Sequence, residues 1–279
     1  MELIGLLFWT LILWSLIMPR IQYDIIRNKR LEVIRRLQTR RKSRVLLLVH
    51  RQEQFLFFGI PIMRFINIED SEEILREIRN TPKDMPIDLI IHTPGGLLLA
   101  ATQIAKALKS HPAKTTVIIP HYAMSGGTLI ALAADEIIMD PNAVLGPVDP
   151  QIQIPDMGVV PAPSIVRTVE EHPDKVGDKL LLFADVAKKA IKQVEDFVFE
   201  LLRDKYGDDK SKELARVLSS GVWTHDYPIT YEKLKELGLK VSTNVPAEVY
   251  ELMNLYPQPS NPLRPGSGLF MPSLTKKEV

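Results

Sequence analysis

Ser125 stands in the run Ala123-Met124-Ser125-Gly126-Gly127-Thr128, after one strand-like segment and at the head of the helix-like segment LIALAA. A hydroxyl at such a turn is a candidate nucleophile. Glycine lets backbone N–H groups approach a ligand closely, and a helix N-terminus offers unpaired donors and a favourable dipole to a developing oxyanion. A second glycine pair, in Thr93-Pro94-Gly95-Gly96, ends the preceding strand-like segment about thirty residues earlier. Taken singly, PGG is a common tight turn and SGG a common helix start with Ser125 as N-cap. Together, at successive strand-to-helix junctions where α/β proteins place their ligands, they are more specific.

A serine nucleophile needs a base. The chain has six histidines and no cysteine, which excludes disulfides, thiolate metal sites and a cysteine nucleophile. His50 and His92 end strands, His111 and His172 stand beside prolines, and His121 lies four residues before Ser125. His225, in VWTHDYPIT, is the one placed like a partner arriving from elsewhere in the chain. There is no HExxH, Walker lysine spacing or GxGxxG, so neither a metal nor a cofactor is expected.

The elements that must position these residues alternate. VLLLVH from Val45 reads as a buried strand, QFLFFGIPIM as a second apolar segment, and a capped helix starts near Asp70-Ser71. Strands at 87–93, 115–120 and 136–140 flank helices at 97–111 and 125–134. This βαβ order implies parallel strands with helical cover. Residues 184–203 form an amphipathic helix, followed by helices at Lys210–Ser219 and Tyr231–Leu237 and a short segment at Ala247–Asn254. The proline-, serine- and glycine-rich stretch 257–279, with its Leu269-Phe270-Met271 patch, is expected to be a flexible tail.

The net charge of +1, from 35 basic and 34 acidic residues, hides an asymmetric N-terminus. Leu3–Met18 carries no charge, and ten basic residues against two acidic ones follow between Arg20 and Arg44. A signal peptide has the reverse order, so the expectation is an uncleaved transmembrane anchor at 1–19 and a basic juxtamembrane helix at 20–44. The positive-inside rule then puts the catalytic portion on the cytoplasmic side of a single-pass membrane protein. Ile21, Ile25, Ile26, Val33, Ile34 and Leu37 recur at helical spacing, which favours a bilayer over nucleic acid as the partner of the basic arm.

HTPGG followed by a helix and a strand, then AMSGGTLIALAADEIIMDPNAVLGPVDPQ, resembles the peptidases of the ClpP and signal-peptide-peptidase-A group over roughly residues 45 to 245. With the N-terminal anchor, HYAMSGGT, GPVDPQ and WTHDYPIT, the chain is similar to the archaeal-type serine dehydrogenase proteinases, distant relatives of ClpP. The resemblance implies a ClpP/crotonase-like α/β fold, a repeated ββα spiral with a parallel sheet, over residues 45–256. It also implies a homo-oligomeric serine endopeptidase that cleaves polypeptides, with the N–H groups of Gly96 and Gly126 as its oxyanion hole.

The chain departs from the ClpP order of serine, histidine, aspartate: no histidine lies near Val148 or Asp149, where that pattern would put one. The order serine, aspartate, histidine described for the serine dehydrogenase proteinases is met by Ser125, Asp149 and His225, with Asp226 as a second candidate acid. A Ser-Lys dyad, as in signal-peptide-peptidase-A relatives, stays open through Lys175, Lys179, Lys188 or Lys189. A crotonase-like acyl-thioester enzyme and a catalytically silent membrane scaffold are the alternatives outside peptidase chemistry.

Overall fold

Strands covered by helices on both faces must be largely apolar on both, and the interior strand IDLIIH is buried at every position. The computed structural model describes residues 2–50, 55–57, 60–62 and 65–256. The chain opens with α1 (Glu2–Arg41), β1 (Arg44–Val49), β2 (Phe55–Phe57), β3 (Ile60–Ile62) and α2 (Ile68–Asn80). It continues through β4 (Ile87–His92), α3 (Leu98–Lys109), β5 (Thr115–Ile119), β6 (Tyr122–Ala123), α4 (Gly126–Ala133), β7 (Glu136–Met139) and β8 (Val144–Leu145). A hairpin, β9 (Gln151–Ile154) and β10 (Gly158–Pro161), leads to α5 (Ala162–Glu171), α6 (Asp178–Tyr206) and α7 (Asp208–Ser219). The last elements are β11 (Ile229–Thr230), α8 (Tyr231–Glu236), β12 (Val241–Ser242) and α9 (Ala247–Asn254).

The main sheet runs β1-β4-β5-β7-β12 with every pair parallel. Side chains alternate between its faces, as the pleat requires. Leu89, Ile91, Val117, Ile119, Ile137 and Met139 enter one core, with residues of α2, α3, α4, α6 and α7. Ile90, Ile118 and Ile138 enter a second core on the opposite face, closed by Val33 and Leu37 of α1 and by Val249 and Leu252 of α9. Asn67 starts α2 through a capping box with Asp70.

The N-terminus departs from expectation. Helix α1 runs unbroken from Glu2 to Arg41, and among the described residues no helix is long and apolar enough to cross a membrane. The single-pass anchor at 1–19 and the placement of the catalytic portion on the cytoplasmic membrane face are therefore corrected. The physical reason is length: the uncharged run Leu3–Met18 falls short of the roughly 20 apolar residues that span a hydrocarbon core.

The C-terminal part of the expected lipid-facing helix at 20–44 is built into the body, whereas Ile21 and Ile25 are 45% and 49% exposed. Val33 and Leu37 are 2% and 0% exposed. Arg41 makes a bidentate pair with Asp88, which is buried in β4 and also accepts a 2.5 Å bond from the Ser43 hydroxyl. Arg36 and Arg40 pair with Glu251 and Glu248 of α9, Arg44 with Glu77, and Arg30 donates to the Leu255 carbonyl while stacking on Tyr256. Of the apolar stripe, Val33 and Leu37, with Ile34 against them, pack on α9 and the sheet rather than on lipid. The stretch 257–279 lies outside the described residues.

Candidate active site

A second, small sheet has the order β11-β8-β6. Ala123 of β6 aligns with Leu145 of β8, and Leu145 with Ile229 of β11. Neighbouring strands lie about 4.8 Å apart, so three remote stretches of chain are held side by side. Ser125 follows β6 by two residues, Asp149 follows β8 by four, and His225 precedes β11 by four.

Two of these side chains meet. His225 Nδ1 lies 2.8 Å from Asp149 Oδ1, and the Asp149 carboxylate is 1% exposed against 31% for the imidazole. The second carboxylate oxygen accepts a 2.7 Å bond from Gln151 Nε2. Because Asp149 only accepts, Nδ1 is the donor in this pair and Nε2 remains for other chemistry. A turn closed by Tyr227 N–H to the Thr224 carbonyl, with the rings of Trp223 and Tyr227 stacked at 5.1 Å, shapes the loop that carries His225. Asp226, the other candidate acid, is exposed.

Ser125 itself sits at φ 50, ψ −114, a conformation costly for a side-chain-bearing residue, and its hydroxyl makes no capping bond to α4. A sharp, strained strand-to-helix turn of this kind presents the serine oxygen rather than spending it on the helix. Helix α4 starts at Gly126, whose amide, as the first of a helix, has no intrahelical acceptor. Around it the two glycine motifs interlock. A Cβ on Gly95 would fall 2.8 Å from Ser125 Cβ, and one on Gly126 would fall 3.7 Å from Gly96 N. Among the described residues neither the Gly96 nor the Gly126 amide has a backbone acceptor. Beside Gly96 opens a cavity of about 790 Å³, whose walls include Phe65, Ile66, Leu97, His50 and Tyr256.

The lysines expected as alternative bases lie on the surface. Lys179, Lys188 and Lys189 pair with Asp156, Glu170 and Asp185 on exposed surface, and Lys175 is exposed. The buried lysine is Lys205, whose pKa desolvation pushes down to about 8. Its Nζ donates to the carbonyls of Leu132, Ala133 and Ala134, so it caps the end of α4 opposite to Ser125.

Comparison with known proteins identifies the family. The family model for ClpP-like SDH-type serine proteinases matches residues 1–279. The chain belongs to the ClpP-like SDH-type serine proteinases. It is a serine peptidase with the α/β fold and parallel sheet of that family. Over 275 residues it is 61% identical to the uncharacterized protein MJ0137 of Methanocaldococcus jannaschii, covering 98% of this chain and 94% of that one. A second protein of the same organism, MJ1495, is 61% identical over 259 residues, 93% of this chain and 87% of its own length. Among solved structures, ClpP1 from Listeria monocytogenes aligns with a TM-score of 0.45 at 18% identity, over 75% of this chain and 96% of that one.

Sequence reasoning passed over Gln151, which anchors Asp149, and Thr128. The Thr128 hydroxyl lies 2.8 and 2.9 Å from the carbonyls of Ala123 and Gly146 and accepts from Gly146 N–H at 3.1 Å. Thr128 belongs to the motif SGGT, but a threonine inside a helix carries no sequence mark of what its hydroxyl reaches across the fold.

Proposed function

We propose that this serine peptidase cleaves polypeptides through Ser125, with His225 as general base, Asp149 as the acid that orients it, and the N–H groups of Gly96 and Gly126 as the oxyanion hole. The observation that carries this reading is the 2.8 Å bond between His225 and Asp149, held by the same three-strand sheet that presents Ser125. His225 Nε2 takes the proton from Ser125 Oγ as Oγ bonds to the scissile carbonyl carbon. The carbonyl oxygen becomes an oxyanion facing the two glycine amides. On collapse the C–N bond breaks, His225 returns the proton to the leaving amine, and an ester to Ser125 remains. Water, deprotonated by the same imidazole, then hydrolyses that ester. Asp149 fixes the ring orientation and stabilises the imidazolium formed at each step.

The test is labelling of the full chain by a fluorophosphonate probe. Labelling should vanish in Ser125→Ala and fall by about three orders of magnitude in His225→Ala and Asp149→Asn. Undiminished labelling of His225→Ala would remove the histidine mechanism. The active form is taken to be a homo-oligomer, which the exposed Leu181, Leu182 and Val186 of α6, beside Met157 and Val159 of the β9–β10 hairpin, support as a covered surface. Leu182→Asp should then lower the assembled mass in sedimentation, and an unchanged mass would count against that surface.

A further inference from the structure

A second histidine–aspartate pair lies on the far side of the Gly95–Gly96 turn. His50, at the end of β1, has Nε2 3.2 Å from Asp70 Oδ2 and Nδ1 2.9 Å from Thr93 Oγ1. His50 and Thr93 are 6% and 0% exposed. Since the carboxylate can only accept, Nε2 carries a proton toward Asp70, and in the tautomer with its hydrogen there Nδ1 accepts from the Thr93 hydroxyl. Thr93 Oγ1 in turn accepts the N–H of Gly95 at 3.2 Å. In that tautomer the donors point one way, from Gly95 to Thr93 to His50 to Asp70, and the Thr93 hydroxyl also lies 3.4 Å from the Gly95 carbonyl.

Thr93 touches both glycine motifs. Its N–H donates to the Tyr122 carbonyl at 3.1 Å, and its carbonyl accepts from Met124 N–H at 3.0 Å, the residue before Ser125. Its methyl fills the space a Cβ on Gly127 would need, only 2.6 Å from that position. The segment that supplies Asp70 also clamps the other side of the turn. Ile66 N–H donates to the Gly95 carbonyl at 2.8 Å and Leu97 N–H to the Ile66 carbonyl at 2.8 Å, while Asn67 N–H donates to Asp70 Oδ2 at 2.9 Å.

We propose that Thr93 and His50 are positioning residues, a threonine–histidine–aspartate relay that holds the Gly95–Gly96 turn so that the Gly96 amide meets the oxyanion formed beside Ser125. The inference rests on the oxyanion role given above to Gly96. Preorganised donors act only when held at the place where charge develops, and misplacement by about 1 Å costs roughly 100-fold in rate. Thr93 is fully buried and does not line the cavity beside Gly96, so its hydroxyl acts on turnover and not on binding.

The test is steady-state hydrolysis of p-nitrophenyl acetate and of fluorescein-casein by the full chain, with melting temperature recorded for each variant. Thr93→Val keeps the shape and deletes the hydroxyl; we expect kcat to fall about 10- to 100-fold, with KM within about threefold of the unaltered protein. Thr93→Ser restores the hydroxyl and should retain kcat within about threefold. His50→Gln, whose carbonyl can accept from Thr93, should keep more activity than His50→Leu. Full kcat in Thr93→Val, a loss confined to KM, or equal losses in Thr93→Ser and Thr93→Val would overturn the proposal. If Thr93→Val does not fold, the His50→Gln and His50→Leu pair decides by the same comparison of kcat. Ser125→Ala separates the two levels: hydrolysis surviving in it removes the proposed function. Hydrolysis lost in Ser125→Ala but kept in Thr93→Val removes the relay alone.

Discussion

Gly146 N–H donates to Thr128 Oγ1 at 3.1 Å, so the helix that begins at Ser125 and the turn that leads to Asp149 share one hydroxyl. That oxygen is also within 2.8 Å of the Ala123 carbonyl, and Thr128 is 1% exposed. Thr128→Val is therefore expected to leave buried polar groups without partners, at a cost of about 1–3 kcal/mol in chemical denaturation. Thr128→Ser should recover most of it; equal losses in the two variants would show that the hydroxyl is not what matters.

Gly96 admits no side chain. A Cβ there would meet the N and O of Ile66 at 2.3 Å, backbone atoms that cannot swing aside. Gly96→Ala should abolish probe labelling of Ser125 and lower the melting temperature. Gly158, at φ +80 with nothing within 4 Å of its Cβ position, is the comparison: Gly158→Ala bears only the conformational cost of about 1 kcal/mol and should label normally.

The α1–α9 clamp predicts a split between its apolar and its charged contacts. Leu37 is 0% exposed beneath the sheet, so Leu37→Ala should cost about 2–5 kcal/mol. The Arg36–Glu251 pair is about half exposed on both sides, and Arg36→Gln should leave the urea midpoint nearly unchanged. A negligible effect of Leu37→Ala on urea denaturation would detach this part of α1 from the body.

Lys205 gives a pH dependence of definite sign. Burial pushes its pKa down to about 8 from the 10.5 of an unhindered lysine. Between these values the unfolded chain holds a proton that the folded chain has released, so this residue's contribution to stability rises with pH across that window. The full rise is on the order of 3 kcal/mol. Tyr250, bonded to Asp140 and pushed up to about 12, works in the opposite direction above pH 10. The measurement is the difference in denaturation free energy between the unaltered protein and Lys205→Met at pH 7.5, 8.5 and 9.5. A difference that does not change with pH would refute the assignment to Lys205.

The parts of the fold legible in the sequence were those with long apolar periods. The strands at 87–93, 115–120 and 136–140 and the helices between them agree with β4, β5, β7, α3 and α4 to within a few residues. The helix expected near Asp70 starts at Ile68, because Asn67 is the cap. Strands β6, β8 and β11 have two residues each, too short for any alternation, yet they form the sheet behind the candidate site. Ser125 is singled out as a candidate by the glycines beside it. Asp149 and His225 came from the order that the resemblance supplied, since nothing local to GPVDP or WTHDYP announces that the two would meet. His50 looked like the end of a strand, which it is; its partners Asp70 and Thr93 are distant in sequence and could not be read from it.

The three-strand sheet β11-β8-β6 also has a consequence for timing. Its middle strand pairs with neighbours on both sides, one of them donated from more than eighty residues further along the chain. Contacts so remote in sequence form late, after the loop between them has closed. During synthesis the stretch bearing Ser125 leaves the ribosome well before the stretch bearing His225 exists. A nascent or half-folded chain thus holds Ser125 before the histidine proposed as its base can reach Asp149.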